Sequence, residues 1–358
     1  MLQGRVNRAM GWMNRLKSSV ALLAVIVANL NPQVQAQQAD GGAAAAEDLC
    51  AKFSLGTSPA QPVKIRYGLT GGGEEPLALL WADKAKYPNH GKFYVLEPQL
   101  FSANDRMTAV QAGQLEAGSI SLTAMVTAAR VGLDMRAVAS VVETNEGDNQ
   151  GAFVVLQDSG ITGVGQFKGK RIGFYGPNTI SEYWIKSALR RAGLKAGDAQ
   201  YVSMPPPAQE QALRNKQIDV AWLSRQFLAK AQKAGGIQAL VRPIQATQHP
   251  HPSTLVFFSP KFVTANPEGY CAWRADYQKA LTDWKQDRAG LYPKLIAAGY
   301  LTPGAAEAGA DGGRAEGGRI NLRDVQETIK DMIDSGFLPA ARAARAEELV
   351  LKGYALRK

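Results

Sequence analysis

From Val63 onward, short runs of β-branched and aromatic residues alternate with longer stretches whose apolar residues recur at helical spacing. The runs Val63–Gly68, Phe93–Glu97, Gly118–Leu122, Ala137–Glu143 and Phe153–Leu156 read as strands, and Arg171–Phe174, Gln200–Ser203, Val220–Trp222, Ile237–Val241 and Leu255–Ser259 continue the series. Between them, Pro76–Tyr87, Ala103–Gln114, Ile180–Ala192, Ala208–Asn215 and Phe227–Lys233 read as helices. This alternation predicts an α/β fold with mostly parallel sheets covered on both faces. Ten strands are many for one sheet, which favours two sheets and therefore two lobes. After Lys261 the pattern turns wholly helical, over Glu268–Asp287, Leu291–Ala298, Leu322–Ser335 and Ala340–Lys352. The stretch Gly304–Gly318 is rich in Gly and Ala and reads as a flexible loop. No internal repeat is visible.

The first 36 residues stand apart. Arg5, Arg8, Arg15 and Lys17 precede the apolar run Val20–Ala28, and Val34-Gln35-Ala36 ends on a small residue. A basic n-region, a short apolar core and a small-residue cleavage site are the pattern of a secretory signal, and the run is too short to span a bilayer. Met13 opens an equally compact n-region, and no twin-Arg pair precedes the run, which favours the general secretory route. Cys50 follows Glu47-Asp48-Leu49, unlike the small-residue box of a lipoprotein. Cleavage after Ala36, a leader tail over 37–60 and a soluble periplasmic product are therefore expected.

Composition narrows the function. Of 358 residues, 46% are hydrophobic and 20% charged, which excludes a disordered chain and a polytopic membrane protein. The formal charge of +10 falls to +6 once the signal is removed, and the remaining bases form no stripe with interleaved aromatics, so nucleic acid is not an expected partner. His90, His249 and His251 lack Cys or acidic neighbours at ligand spacing, and His249-Pro-His251 reads as a proline-stiffened loop; no metal or cofactor is expected. No nucleophile–histidine–acid set and no Gly-x-Ser-x-Gly elbow appears, so nothing argues for an enzyme.

Four strand-to-helix turns carry hydroxyls or glycines: Thr70, Gly71 and Gly72; Ser121 and Thr123; Asn178, Thr179 and Ser181; and Ser224 with Arg225 after Trp222. Open α/β sheets bind ligands at that edge, although each turn alone also suits plain helix capping, and Thr179 with Glu182 spells a capping box. Gly71-Gly72-Gly73 lacks the features of a phosphate loop, and Glu74 and Glu75 in the following helical turn would oppose a phosphate while suiting the helix dipole.

At these residues the chain resembles a family. Val63–Gly68, Ala109–Ser119, Asp158–Ile161, Phe167–Gly173, Leu189–Leu194 and Ala212–Ala221 are similar, in order and spacing, to segments of the nitrate/sulfonate/taurine branch of the periplasmic solute-binding proteins of ABC transporters. The resemblance covers about Val63 to Leu240 and departs at Glu116 and Gly71–Glu75. It implies a type II two-lobed fold crossed twice by the chain: lobe 1 over 61–155 and 243–345, lobe 2 over 156–242, and a helix end over 346–358. The crossings are expected near Phe153–Gln157 and Leu240–Pro243. The implied function is capture of a small organic anion, sulfonates foremost, by hinge closure of a monomer and delivery to an inner-membrane ABC permease. Alternatives are a neutral heterocycle such as a pyrimidine stacking on Trp222, Tyr175, Tyr183 or Trp184, presentation of ligand to a sensor protein, and an exported enzyme on the same fold. The related pyrimidine synthases carry a cysteine cluster, whereas this chain has two cysteines.

Cys50 and Cys271 are expected to form a disulfide in an oxidising compartment. Arg225, a cation at a helix start against the dipole, is the residue expected to meet the ligand's charge, with Thr179 and Ser181 beside it and Thr70 and Ser121 opposite. Its truncation is expected to weaken an anionic ligand while leaving the melting temperature of the empty protein nearly unchanged. Intact-mass analysis of the exported protein is expected to find Gln37 first, and retention of Val20–Ala28 overturns the signal reading.

Overall fold

In the computed structural model the described residues are 48–70, 72–147, 150–301, 312–341 and 343–353. The expected signal over 1–36 and the first part of the leader tail lie outside them, as does Gly71. Three strand–helix units come first: β1 (Val63–Leu69) with α1 (Glu75–Ala82), β2 (Tyr94–Leu100) with α2 (Ala103–Gln111), and β3 (Ala117–Ser121) with α3 (Leu122–Arg130). β4 (Arg136–Thr144) then ends the first excursion. The second runs β5 (Gly151–Leu156), β6 (Arg171–Phe174), α4 (Ile180–Arg191), β7 (Gln200–Ser203), α5 (Pro206–Arg214), β8 (Val220–Ser224), α6 (Arg225–Ala234), β9 (Ile237–Val241) and α7 (Pro243–Thr247). β10 (His251–Phe258) follows, and then α8 (Pro260–Ala265), α9 (Pro267–Gln286), α10 (Arg288–Ala297), α11 (Leu322–Asp334) and α12 (Ala346–Leu349).

The strands form two five-stranded sheets, ordered β2-β1-β3-β10-β4 and β7-β6-β8-β5-β9. In the first sheet only β10 runs against the other four, and in the second only β5 does. Each sheet thus repeats one topology without sequence repetition, and its single reversed strand is the one that follows a passage from the other sheet. The chain leaves the first sheet between Thr144 and Gly151 and returns between Val241 and His251. β5 lies wholly in the second sheet, so the outward passage precedes the expected Phe153–Gln157, and α7 packs on α4 before the return.

The helical expectations shift in two places. The first helix stops at Ala82, leaving Tyr87 buried with its hydroxyl donating to Asp283 (3.0 Å). α3 gives bounds, Leu122–Arg130, to a helix that the strand-to-helix turn at Ser121–Thr123 implied without a range. The last helix shrinks to Ala346–Leu349 because Val350 pairs with Ala137 at the edge of the first sheet, a strand-like contact incompatible with helix. The His249–His251 segment is no exposed loop: both histidines are buried, His251 opens β10, and burial pushes its pKa down to about 3. Among the described residues no helix is long and apolar enough to cross a membrane.

Apolar packing makes one cluster between the first sheet and α1, α9 and α10, centred on Tyr67, Trp273 and Tyr277. A smaller one underlies the second sheet around Val154, Leu213 and Leu228. A third runs continuously from Met125 and Phe257 of the first lobe through Phe153, Trp184 and Trp222 of the second to Ile329 of α11. The N-terminal segment is fastened to this body by the Cys50–Cys271 disulfide and by Asp48, whose carboxylate accepts from both terminal nitrogens of Arg274.

α11 ties the C-terminal part to the second lobe. Asp331, buried, accepts from the Tyr183 hydroxyl (2.9 Å), from Ser187 and from Arg190, all on α4, with Arg191 at 3.3 Å and His249 at 3.9 Å. Burial alone would raise the Asp331 pKa; the nearby His249 and the hydrogen bonds from Ser187, Tyr183 and Arg190 outweigh it and hold the carboxyl well below the usual range. Its contribution is therefore complete above the unfolded carboxylate pKa of about 4 and lost as pH falls through the lowered folded value. Asp331→Ala is expected to lower the unfolding free energy by about 3–5 kcal/mol at pH 7, because it strands buried donors and arginines. In urea titrations the gap between wild type and Asp331→Asn should shrink from pH 7 to pH 2.5; a constant gap overturns the hub role.

Candidate functional site

Strand direction fixes where a site can form. The parallel strands β1, β6 and β8 end at Leu69, Phe174 and Ser224, and the turns that follow face a cavity of about 340 Å³ between the sheets. Thr70, Gly72, Gly73 and Glu75 line it from the first lobe, with Val142 and Thr254 from β4 and β10. Tyr175, Trp184, Trp222 and Arg225 line it from the second. Gln150 lies at the outward passage, and Tyr300, Leu301 and Gly312 complete the wall from the C-terminal part.

The turn after β1 is shaped by backbone demands. Gly73 has φ +77°, and a Cβ there would stand 2.7 Å from Val142 Cγ2, so only glycine fits without displacement. The turn brings Glu74 back onto the Thr70 N–H (3.0 and 3.1 Å) and starts α1 with Glu75. Both acids are buried. Burial raises the Glu74 pKa, against hydrogen bonds from Ser119 and Thr70 and the attraction of Arg106. The Glu74 N–H donates to the Tyr300 hydroxyl (3.0 Å), whose pKa burial holds well above the usual range, so that hydroxyl stays protonated.

Glu75 faces the cavity and is 2% exposed. Its two oxygens meet two different guanidinium groups: Oε1 accepts from Arg225 Nη2 of the second lobe (3.2 Å) and Oε2 from Arg314 Nη2 (2.7 Å). Arg314 belongs to the first-lobe side, since its Nη1 donates to the carbonyls of Gly73 and Val141. The Arg225 backbone N–H donates to the Gln150 carbonyl (2.9 Å), and the Gln150 side chain joins Thr144 (2.8 Å) and Ser253 (2.6 Å). The arginine is thus set directly on the outward passage. Opposite this charge cluster Trp222 packs against Trp184 (centroids 4.9 Å) and Tyr175 (6.5 Å). The arrangement combines two cations, one carboxylate and an aromatic wall, and can hold a small molecule with a charged head and an apolar body.

Of the residues singled out in sequence, Thr70, Gly72, Trp222 and Arg225 come together in this cavity. Gly71 lies outside the described residues. Ser121 and Thr123 do not line the cavity: Ser121 caps α3 by accepting from the Ala124 N–H (3.2 Å), and Thr123 is buried against it (2.9 Å). Asn178, Thr179 and Ser181 are occupied locally as well. Thr179 donates to the Gly176 carbonyl (2.6 Å), Ser181 accepts from the Tyr175 N–H (3.1 Å), and Glu182 takes the Asn178 N–H (2.7 Å), so no Thr179–Glu182 capping box forms. Of the four proposed stacking aromatics, Tyr183 sits instead on Asp331. Nor is Arg225 a lone surface cation: it is half of an ion pair to a buried carboxylate, so its truncation should also destabilise the empty protein, contrary to the sequence expectation.

Sequence reasoning missed Glu75 and Arg314. Glu75 was assigned to the helix dipole, and Arg314 lay inside a stretch whose composition reads as flexible. The available signal was an isolated arginine among glycines, without apolar neighbours to explain it as packing. Among the described residues no group of three or more His, Cys, Asp and Glu side chains could hold a metal ion, and no histidine lines the cavity.

With this geometry established, comparison places the chain. A family model described as NMT1/THI5 like matches residues 97–286, more than half of the chain, and the chain belongs to that family. No curated protein matches it in sequence. Among solved structures it is similar in fold to the periplasmic aliphatic sulphonate binding protein SsuA from Escherichia coli (18% identity, 83% of this chain and 94% of that one, TM-score 0.63). It is similar also to the alkanesulfonate-binding protein SsuA from Xanthomonas axonopodis pv. citri bound to MOPS (17%, 81% and 99%, TM-score 0.65). The periplasmic nitrate-binding protein NrtA from Synechocystis PCC 6803 is a further match (13%, 82% and 87%, TM-score 0.61).

The turn geometry makes one prediction. Gly73→Ala is expected to cost about 1–3 kcal/mol, through its positive φ and the Val142 clash, and to displace the Gly73 carbonyl that holds Arg314. Thermal melting checks it, and an unchanged midpoint overturns the account of the turn.

Proposed function

We propose that this member of the NMT1/THI5-like family is an exported binding protein that captures a small organic anion between its lobes and delivers it to an ABC permease. The observation that carries the reading is Arg225 in the lining of a cavity that also presents Trp184, Trp222, Tyr175 and Tyr300, with Arg314 held beside it on the shared carboxylate of Glu75. Guanidinium groups offer paired donors in a geometry that suits carboxylate and sulfonate heads, and the aromatic faces suit a short apolar body. A cavity of about 340 Å³ is at the small end of the range for ligand sites, which favours a compact solute over a peptide or polymer. The site spans both lobes, so a ligand that touches both walls favours their approach, which is the form a permease can distinguish from the empty one. The names of the neighbouring structures, sulfonate- and nitrate-binding periplasmic proteins, support the class of solute and the compartment. No catalytic step is part of this reading.

Titration calorimetry with ethanesulfonate, nitrate, acetate and a neutral aminopyrimidine tests it. An organic anion is expected to bind most tightly, and Arg225→Ala and Arg314→Ala are each expected to weaken it about thirtyfold or more, the equivalent of ~2 kcal/mol. Affinities within about twofold of wild type in both variants, or tighter binding of the neutral pyrimidine, overturn the anion reading.

A further inference from the structure

We infer that Glu75 is a built-in counter-ion that stands where a ligand's anionic head would go, and that an incoming anion must displace it from Arg225. The inference rests on the reading of the cavity as an anion site. Glu75 has the chemistry of such a head: a carboxylate, 2% exposed, lining the cavity, with each oxygen on a different guanidinium. It also joins the two lobes, because Arg314 is anchored on the first-lobe carbonyls of Gly73 and Val141 while Arg225 rises from α6 of the second.

Two guanidinium groups brought near each other, Arg225 in the cavity lining and Arg314 on the other oxygen of Glu75, repel one another and attract any small anion. A carboxylate on the same chain removes that attraction for weak competitors, since a tethered group acts at an effective concentration of about millimolar or above. A halide has only its charge to offer in exchange. A solute that also lays an apolar body on Trp222, Trp184 and Tyr175 gains contacts that Glu75 cannot make, and so prevails where a bare ion fails. Glu75 thereby sets a threshold that selects for two-point recognition. A purely structural acid at a helix start makes a different prediction: its removal lowers stability and leaves anion affinity unchanged or weaker.

The test measures tryptophan fluorescence and melting temperature of wild type, Glu75→Gln and Glu75→Asp against chloride and ethanesulfonate, with ionic strength held by a salt of a bulky anion. Wild type is expected to ignore chloride, while Glu75→Gln gains chloride binding and binds ethanesulfonate roughly tenfold or more tightly. Its melting temperature, lower when empty, should rise more steeply with either anion than that of wild type. Glu75→Asp, too short to reach both guanidinium groups at once, should shift in the same direction by less, and supplies the answer if the Gln variant does not fold. Unchanged or weaker anion binding in the variants overturns the inference even where wild type binds ethanesulfonate. Chloride binding gained by the variants, with ethanesulfonate ignored by all three proteins, upholds the counter-ion and removes the organic-anion reading instead.

Discussion

Everything at the cavity depends on one constraint of chain path: the two passages between the lobes must lie side by side. This follows from β5 and β10, the single reversed strand of each sheet, because β10 inserts between β3 and β4 and pairs His251 with Thr144, where the outward passage begins. With both connections on one edge, the sheets present strand ends to a shared space, and the helix starts that follow β1 and β8 meet across it. Gln150 shows how closely passage and site are joined. Its side chain bonds to Thr144 and Ser253 on the two strands flanking the passages, while its carbonyl receives the Arg225 N–H. Movement at the passage therefore moves the arginine.

The cavity's charge has to be understood in a poorly solvated setting, where an unpaired ion costs far more than it does at a surface. Glu74 and Glu75 are neighbours in sequence yet are handled differently. The first turns inward to backbone N–H groups and the field of Arg106, and the second turns to the cavity and its two arginines. Elsewhere, Asp331 does comparable work for the fold, collecting hydroxyls and arginines of α4 onto α11. One set of ionic contacts thus faces the cavity and another joins α11 to α4. The apolar cluster also runs unbroken from Met125 to Trp222, so relative movement of the lobes has to pivot on packed side chains.

The strands were legible because their β-branched runs are short and bounded by turn residues, and all ten appear in the structure within a few residues of their expected limits. For α3 only the start was legible, in the strand-to-helix turn Ser121-Leu122-Thr123, and its extent to Arg130 shows in the burial of residues such as Leu122 and Met125. For the site, the rule that ligands gather at strand ends led to Thr70, Gly72, Trp222 and Arg225, but it could not tell cavity-lining hydroxyls from those occupied by local bonds, Ser121 in capping α3 and Thr179 and Ser181 within their own turn. Ser121, Thr179 and Ser181 fell on the wrong side of that distinction. Arg314 could be noticed as an isolated arginine among glycines, but its place beside Glu75 could not, because that comes from the bridge between Gly313 and Glu143, a contact across 170 residues that no local pattern records.

The disulfide between Cys50 and Cys271 closes a covalent ring with a sequence separation of 221. That ring contains the whole of the second lobe, both passages, and every strand of both sheets. Topologically the protein from Cys50, ahead of β1, to Cys271 in the second turn of α9 is a circle with tails. A single cut by a protease anywhere on that circle, including in the turns around the cavity, opens it into a line without separating one lobe from the other. Two cuts on the circle are needed to release a fragment, so the bond protects the connection between the lobes against a single proteolytic cut.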